Sequence, residues 1–143
     1  MPRPRFEKLS PERREQVLES AAQEFALHGY DGASLNHILT AAGVSKGAAY
    51  YYFDDKADLF VTVVRHYWDH LLSHVDYDLE SMTRARFWPA VVDLYRQGIL
   101  HLEEKPWMLG VTKAIWRLSK QARGQRALAE LFRFGQGFMA DFV

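Results

Sequence analysis

The chain of 143 residues contains no cysteine, which excludes disulfide frameworks and thiolate metal sites. Residues 1–10 are polar and basic and lack the apolar segment of a signal peptide. No apolar run is long enough to span a lipid bilayer. We therefore expect a cytoplasmic protein that does not contact a membrane.

Combinations of catalytic residues are missing as well. The sequence has no glycine-rich phosphate loop and no set of nucleophile, base and acid, and its carboxylates are scattered over polar positions. The chain is therefore predicted not to be an enzyme and to need no cofactor.

Neither sign of charge is in excess, because 18 Lys and Arg residues balance 18 Asp and Glu residues. The charges are unevenly distributed, however. The first fourteen residues hold five basic and two acidic side chains, whereas residues 57–83 hold one basic side chain, Arg65, and five acidic ones. Positive charge therefore lies at the N-terminal end, which is where a polyanion would be met.

Apolar residues recur at helical spacing along the chain, and no strand pattern is found, so the sequence predicts an all-α fold. The first long helix begins at Ser10-Pro11-Glu12 and ends at Gly29. Four later helices are predicted over about 56–75, 84–104 and 107–118, and from about 125 to the end. The buried stripe of the first long helix is predicted to be Val17, Leu18, Ala21, Ala22 and Phe25.

Residues 34–60 are the most informative segment, because they predict two short helices joined by a glycine turn. Ser34 and Ser45 are the predicted N-caps of these helices, and Gly43 supplies a left-handed φ between them. Asp55 is predicted to cap the next helix, with a second acid three residues on as in a capping box. Such a pair of helices is a helix-turn-helix, whose second helix enters the DNA major groove.

The second helix of this turn is too short to bury a core alone, so its composition indicates contact with a partner. Lys46 in its first turn either donates to guanine or phosphate, or is a solvated surface lysine. Gly47 and Ala48 are small enough to let the helix approach base edges. The consecutive tyrosines at 50–52 point about 100° apart, so at least one of them faces outward.

From Phe25 to Phe60 the sequence resembles the DNA-binding domain of TetR-family transcriptional regulators. The resemblance extends over roughly residues 10–75, beyond which only the helical character matches. Two positions depart from the usual pattern: Leu39 stands where a small residue is usual, and Ala49 where a larger apolar one is. The matching residues are Phe25, Gly29, Tyr30, Ser34, Ile38, Ala42, Gly43, Val44, Ser45, Gly47, Tyr50, Tyr52, Phe53, Lys56, Leu59 and Phe60.

The resemblance implies a three-helix helix-turn-helix DNA-binding domain, joined by a long helix to an α-helical ligand-binding and dimerisation bundle. The expected domains are a disordered basic arm over 1–9, the DNA-binding domain over 10–57, and the bundle over 58–143. The bundle is expected to be incomplete at its C-terminus. In the arm, Arg3 and Arg5 either enter a neighbouring minor groove or belong to a frayed tail.

Contacts with DNA are also implied by the resemblance. The positions of Tyr50 and Tyr51 meet base edges or backbone in the family, and the position of Tyr52 meets phosphate. The two serine caps and Lys56 are implied phosphate contacts, although capping alone explains the serines equally well. The predicted DNA-binding residues are Ser34, Ser45, Lys46, Gly47, Ala48, Tyr50, Tyr51, Tyr52 and Lys56.

The function implied is that of a ligand-responsive transcriptional regulator, with repression as the expected sign. It would bind a pseudo-palindromic operator in double-stranded DNA as a homodimer and be released by a small hydrophobic effector. One alternative is a helical interaction or ligand-sequestering module that has lost operator binding. The other is a metal-responsive regulator.

Large side chains are frequent in the second half, where they form either a core or the walls of a lipophilic pocket. Three histidines at i, i+4 and i+8, His66, His70 and His74, share one face of a helix. They are a metal site completed by His101 or Glu103, a polar or pH-sensitive contact, or partly buried histidines, and no metal is the expectation. The candidate pocket residues are Tyr67, His70, Trp88, Tyr95, Trp107, Met108, Trp116 and Phe132.

Overall fold

The structure, a computed structural model, describes residues 2–73, 83–121 and 125–140. These residues form helices and no strand, which confirms the all-α prediction. A 3₁₀ turn, Lys46–Ala48, runs directly into the fourth α-helix, and together they are called the reading segment, residues 46–52. The α-helices are α1 Pro4–Glu7, α2 Pro11–Gly32, α3 Leu35–Ala41, α4 Ala49–Tyr52, α5 Lys56–Ser73, α6 Arg84–Glu104, α7 Met108–Leu118 and α8 Gln125–Ala140.

Helix α2 begins and breaks where local sequence signals place its ends. The Arg13 amide donates to the Ser10 hydroxyl at 3.3 Å, as expected of an N-cap. Gly29 has φ 70° and ψ 179°, so the helical geometry breaks there before a last turn reaches Gly32. The predicted buried stripe of α2 is confirmed, because each of its five side chains is at most 3% exposed.

The N-terminal arm corrects an expectation. The sequence predicts disorder over residues 1–9 because of its prolines, whereas the structure forms helix α1 there. Pro4 occupies the start of this helix, where its fixed φ fits and its missing N–H is not needed. Phe6 is 2% exposed and its ring centroid lies 4.8 Å from that of Phe53, so apolar burial holds the arm in place.

One hydrophobic core joins the N-terminal helices to the C-terminal ones. Phe25 of α2 and Phe60 of α5 meet edge to face at 4.9 Å within it. Helix α7 packs along α2, and α8 packs against α5. From these two C-terminal helices the core takes Val111, Ala114, Leu118, Ala127 and Leu128.

Helix α6 is mostly uncovered by the part of the chain that the structure describes. His101 is its only buried described residue, although α6 packs weakly on α5. Trp88, Val92, Tyr95 and Ile99 follow each other at spacings of four, three and four, and each is more than half exposed. This spacing puts them on one face, as in helices that pack against a further helix.

Candidate nucleic-acid interface

The turn between α3 and the reading segment closes as a Schellman motif. Gly43 has φ +66°, the left-handed conformation predicted from the sequence. Its amide donates to the Thr40 carbonyl at 3.0 Å, and the Val44 amide donates to the Leu39 carbonyl at 2.8 Å. The Arg13 guanidinium of α2 donates to the Gly43 carbonyl at 2.8 Å and fastens the turn to the body of the domain.

The reading segment presents its tyrosines in different directions. Tyr50 and Tyr51 are 65% and 53% exposed. Tyr52 is half-buried, and its ring centroid lies 6.2 Å from that of Phe6. Phe53, directly after the segment, is fully buried and anchors it to the core. The prediction that the three tyrosines diverge is therefore confirmed. Their contacts with DNA stay predictions.

The reading segment has small residues at positions 47 and 48, which place no bulky side chain on its surface. Gly47 is exposed, and a Cβ built there would have no neighbour within 4 Å, so the fold itself does not require glycine at this position. Ala48 beside it is half-buried. The side chains of Lys46 and Ala49 lie outside the described part of the structure, so the predicted role of Lys46 stays a prediction.

The two serine caps differ. The His37 amide donates to the Ser34 hydroxyl at 3.3 Å, which confirms Ser34 as the cap of α3. At Ser45 it is the backbone carbonyl that accepts, from the Ala48 amide at 2.9 Å. Both serines are exposed, so their predicted contacts with phosphate stay predictions.

Glu24 was not among the predicted site residues, yet it fixes the start of α3. It is 8% exposed, accepts the Ser34 amide at 3.1 Å and lies 2.7 Å from the His37 Nδ1. Burial raises the pKa of Glu24, but the hydrogen bonds from Ser34 and His37 outweigh it and hold the pKa below the usual value. Its position seven residues after buried Val17, hence on the same helical face, was the available signal.

Lys56, a predicted phosphate contact, has an additional structural role. Its ammonium donates to the carbonyls of Asp31 and Ala33 at 3.1 and 3.3 Å, and lies 5.0 Å from the centre of the Tyr30 ring. The side chain thereby satisfies carbonyl groups at the C-terminal end of α2 and places a positive charge at the negative end of the helix dipole. One of its three N–H groups is left for a phosphate.

Asp55 connects the end of the reading segment to a distant helix. One carboxylate oxygen accepts the Asp58 amide at 2.9 Å, which confirms the predicted cap of α5. The returning bond of the capping box goes to the Asp54 amide, at 3.0 Å from Asp58 Oδ2, rather than to Asp55 itself. The other oxygen of Asp55 accepts from Arg126 of α8 at 2.8 Å. A C-terminal helix is thus bonded to the residue that follows the DNA-binding elements.

Glu15 forms a second connection between the N-terminal helices and the C-terminal part of the chain. Its carboxylate lies 2.7 Å from His66 Nε2, accepts the Tyr67 hydroxyl at 3.2 Å and lies 3.5 Å from the Lys105 ammonium. Partial burial raises the pKa of Glu15, but His66, Lys105 and Tyr67 together hold the pKa below its usual value. Burial first, and then Glu15, raise the pKa of the Tyr67 phenol.

The predicted pocket residues are not brought together. Tyr67 and Trp107 meet edge to face at 4.7 Å, and Met108 packs on the core beside them. His70 is exposed on α5, and four of the remaining residues cannot line an enclosed cavity because they are 66–71% exposed. These four are Trp88, Tyr95, Trp116 and Phe132. The described residues therefore do not assemble the eight candidates into one pocket.

The histidine row also separates. His66 is bonded to Glu15, His70 lies 5.2 Å from His101 between ring centroids, and His74 falls outside the described residues. Within the described ranges no group of three or more His, Asp or Glu residues is close enough to hold a metal ion. The contact reading of His66 is therefore the one that the geometry supports.

None of the described helices is both long enough and apolar enough to cross a membrane.

Comparisons with known proteins agree with this geometry. The family model described as "Bacterial regulatory proteins, tetR family" matches residues 17–63. The chain is 30% identical over 106 residues to the transcriptional repressor AcnR of Corynebacterium diphtheriae, an alignment that covers 72% of this chain and 50% of the relative. The chain thus spans about half the length of that relative.

Solved structures show the same fold. The fatty acid degradation regulator FadR of Bacillus halodurans superposes with a TM-score of 0.71 at 22% identity, over 93% of this chain and 65% of that one. FadR of Bacillus subtilis, solved in complex with stearoyl-CoA, superposes with a TM-score of 0.61 at 18% identity, over 88% of this chain and 68% of that one. The relatives are transcriptional regulators, and through the helix-turn-helix domain at residues 17–63 this chain belongs to the tetR family of bacterial regulatory proteins.

Proposed function

We propose that the chain is a transcriptional repressor that binds a pseudo-palindromic operator as a homodimer and is released by a small lipophilic effector. The observation that carries the DNA-binding part is the reading segment itself. It is anchored from behind by Phe53 and presents Gly47, Tyr50 and Tyr51 outward. The fold does not require glycine at position 47, and it leaves two aromatic rings exposed. Close approach of this segment to DNA explains both features.

Readout of base pairs is proposed to be loose. The reading segment has no Arg, Asn or Gln, so direct contacts rest on Lys46, Tyr50 and the methyl group of Ala48. Dimer spacing and DNA shape supply the remaining specificity. We expect Lys46→Ala to lower the ratio of operator to random-DNA affinity. An unchanged ratio would remove Lys46 from base recognition.

We place the effector and the second protomer on helices α6–α8. These helices carry the large apolar side chains that the described residues leave exposed, including the stripe from Trp88 to Ile99. Apolar surfaces of this kind mark ligand or protein contacts. AcnR, a relative by sequence, is a repressor, which supports the sign that we propose.

Release of DNA is proposed to follow from a change in the spacing of two reading segments. Helix α7 packs closely on α2, since a Cβ at Gly110 would lie 2.5 Å from Ala26 Cβ. Arg126 holds Asp55, and Lys105 reaches Glu15. Displacement of α6–α8 would therefore move α2 and the start of α5, and an effector acts only if it binds the two spacings unequally.

Selection from a random DNA pool tests the operator part. The full chain is incubated with the pool at two salt concentrations, and bound duplexes are sequenced. We expect enrichment of a sequence with two-fold symmetry, with half-sites about one helical turn or a multiple apart. Salt-sensitive binding without enrichment would instead show a module that has lost its operator.

Titration with stearoyl-CoA tests the effector part, because that compound is held by a protein of the same fold. We expect it to bind and to weaken operator affinity. Binding without any change in operator affinity would contradict the proposed coupling. A regulator of operator DNA acts where the chromosome lies, and for this reason the cytoplasm is part of the proposal.

A further inference from the structure

Helix α1 is fixed directly against the reading segment. The Arg3 amide donates to the Tyr52 carbonyl at 2.8 Å, and the Phe6 ring lies between Tyr52 and Phe53 at 6.2 and 4.8 Å. Because Phe6 is 2% exposed, this contact is part of the core rather than a surface encounter. The arm and the surface predicted to meet DNA are therefore packed together in the core.

The basic side chains of the arm surround an exposed tyrosine of that surface. The guanidinium carbon of Arg5 lies over the Tyr51 ring, 3.9 Å from its centre. Arg3, Pro4 and Lys8 line the same open groove, whose volume is about 480 Å³. Tyr51 is 53% exposed even with Arg5 above it, so the pair stands at the protein surface.

These cations are not equally neutralised. Arg3 pairs with Asp54 at 2.9 Å, and Glu7 pairs with Arg14 at 3.1 Å. For Arg5 and Lys8 no carboxylate lies within ion-pair distance among residues 2–73, 83–121 and 125–140. Uncompensated positive charge is thus concentrated beside Tyr51 of the reading segment.

We propose that Arg5, held over Tyr51, is a further DNA-binding residue that contacts a backbone phosphate flanking the base pairs met by the reading segment. This inference rests on the proposed DNA-binding function. The position over the ring restricts the rotamers of Arg5, so less side-chain entropy is lost when an anion binds. Its planar fork of N–H donors matches two phosphate oxygens.

This placement revises the expectation for the arm. A side chain held over Tyr51 is not extended toward a neighbouring minor groove, and Arg3 is engaged by Asp54. Arg5 therefore positions the protein on the duplex without reading sequence, as phosphate contacts do.

The test is the salt dependence of DNA binding by the full chain. Affinities for a duplex selected from the random pool and for a scrambled duplex are measured by fluorescence anisotropy between about 50 and 200 mM KCl. Over this range the fall in affinity with salt reports the number of phosphate contacts. The variants are Arg5→Ala, Arg5→Lys and, as the matched control, Lys120→Ala, which removes an exposed cation 5.0 Å from the centre of the Trp116 ring, beyond the end of α7. Thermal unfolding checks that each variant keeps its fold.

We expect Arg5→Ala to lower the affinity for both duplexes by about three- to tenfold. It should also reduce the magnitude of the slope of log K against log salt concentration by about 0.9, the value for one lost phosphate contact. Arg5→Lys should keep the slope because it keeps the charge, and it should lose part of the affinity. Lys120→Ala should change neither quantity.

An unchanged slope for Arg5→Ala, with the wild type still selecting its duplex, would overturn this inference alone. A loss of affinity for the selected duplex alone would overturn the inference too, because Arg5 would then contact bases. If the wild type bound no DNA at all, the proposed function would fail and this inference with it.

Discussion

Helices α5 and α6 are similar in length and both rich in apolar residues, but they meet different surroundings. In α5, 18 residues long, Leu59, Phe60 and Val63 are fully buried between α2 and α8. In α6, 21 residues long, Tyr95 and Trp88 are 70% and 68% exposed. The apolar pattern of a helix therefore identifies a face that is able to pack, and the surrounding chain decides whether it does.

The same difference separates two kinds of exposed aromatic residue. Tyr50 and Tyr51 stand on a segment whose other side is anchored by buried Phe53, so their exposure is held in a fixed geometry. The aromatics of α6 lie on a helix with one buried described residue. We relate the first kind to DNA and the second to the effector and to dimerisation.

The largest expected effect contrasts one aromatic from each helix. Phe60→Ala should lower the free energy of unfolding by about 3–5 kcal/mol, because it removes a fully buried ring from the core. Tyr95→Ala, at an exposed position, should change it by less than about 0.5 kcal/mol. Urea denaturation of both variants measures the difference. Equal losses would show that α6 is as well packed as α5.

A pair of glycines sharpens the comparison at the level of single atoms. Gly110→Ala should cost about 1–3 kcal/mol, because its Cβ would lie 2.8 Å from the Ala26 Cα and would push α7 away from α2. Gly98→Ala in α6 should instead stabilise by about 0.5–1 kcal/mol, since no atom lies within 4 Å of its Cβ. Thermal unfolding of the two variants should shift in opposite directions. A stable Gly110→Ala would mean that the crossing is loose.

The smallest expected effect concerns pH and the Glu15 contacts. Because the pKa of Glu15 is lowered in the folded protein, its contribution is present above the ordinary value of 4.5 and is lost as pH falls through the folded value. Glu15→Gln should therefore be less stable than wild type at pH 7, by less than about 1 kcal/mol because the pair is partly exposed.

Urea unfolding at neutral and acidic pH measures this. The difference between wild type and Glu15→Gln should shrink as the solution is acidified, and His66→Ala should reproduce part of it. A difference that is constant with pH would contradict the role given to the Glu15 carboxylate.

Features encoded by neighbouring residues were predictable from the sequence. The left-handed turn at Gly43 and the caps at Ser10, Ser34 and Asp55 depend on residues within about five positions of each other, so local patterns suffice. The buried stripe of α2 follows from helical periodicity in the same way.

Contacts between distant parts of the chain were not predictable. Phe6 docks on Phe53, Lys56 binds the carbonyl of Asp31, and Gly110 packs on Ala26, and nothing in local periodicity relates these positions. The pocket prediction did not come together for a related reason. Periodicity marks Trp88 and Tyr95 as apolar positions but does not say what covers them.

The most direct test of the central claim, that the reading segment is exposed in order to bind DNA, compares two exposed large side chains outside helices α6–α8. Affinity for the selected duplex is measured by fluorescence anisotropy for Tyr50→Ala and Leu27→Ala, whose wild-type residues are 65% and 78% exposed. We predict that Tyr50→Ala weakens binding by about tenfold or more, as expected for one lost DNA contact, and that Leu27→Ala leaves it unchanged. Unchanged affinity in Tyr50→Ala, or equal losses in the two variants, would contradict the account.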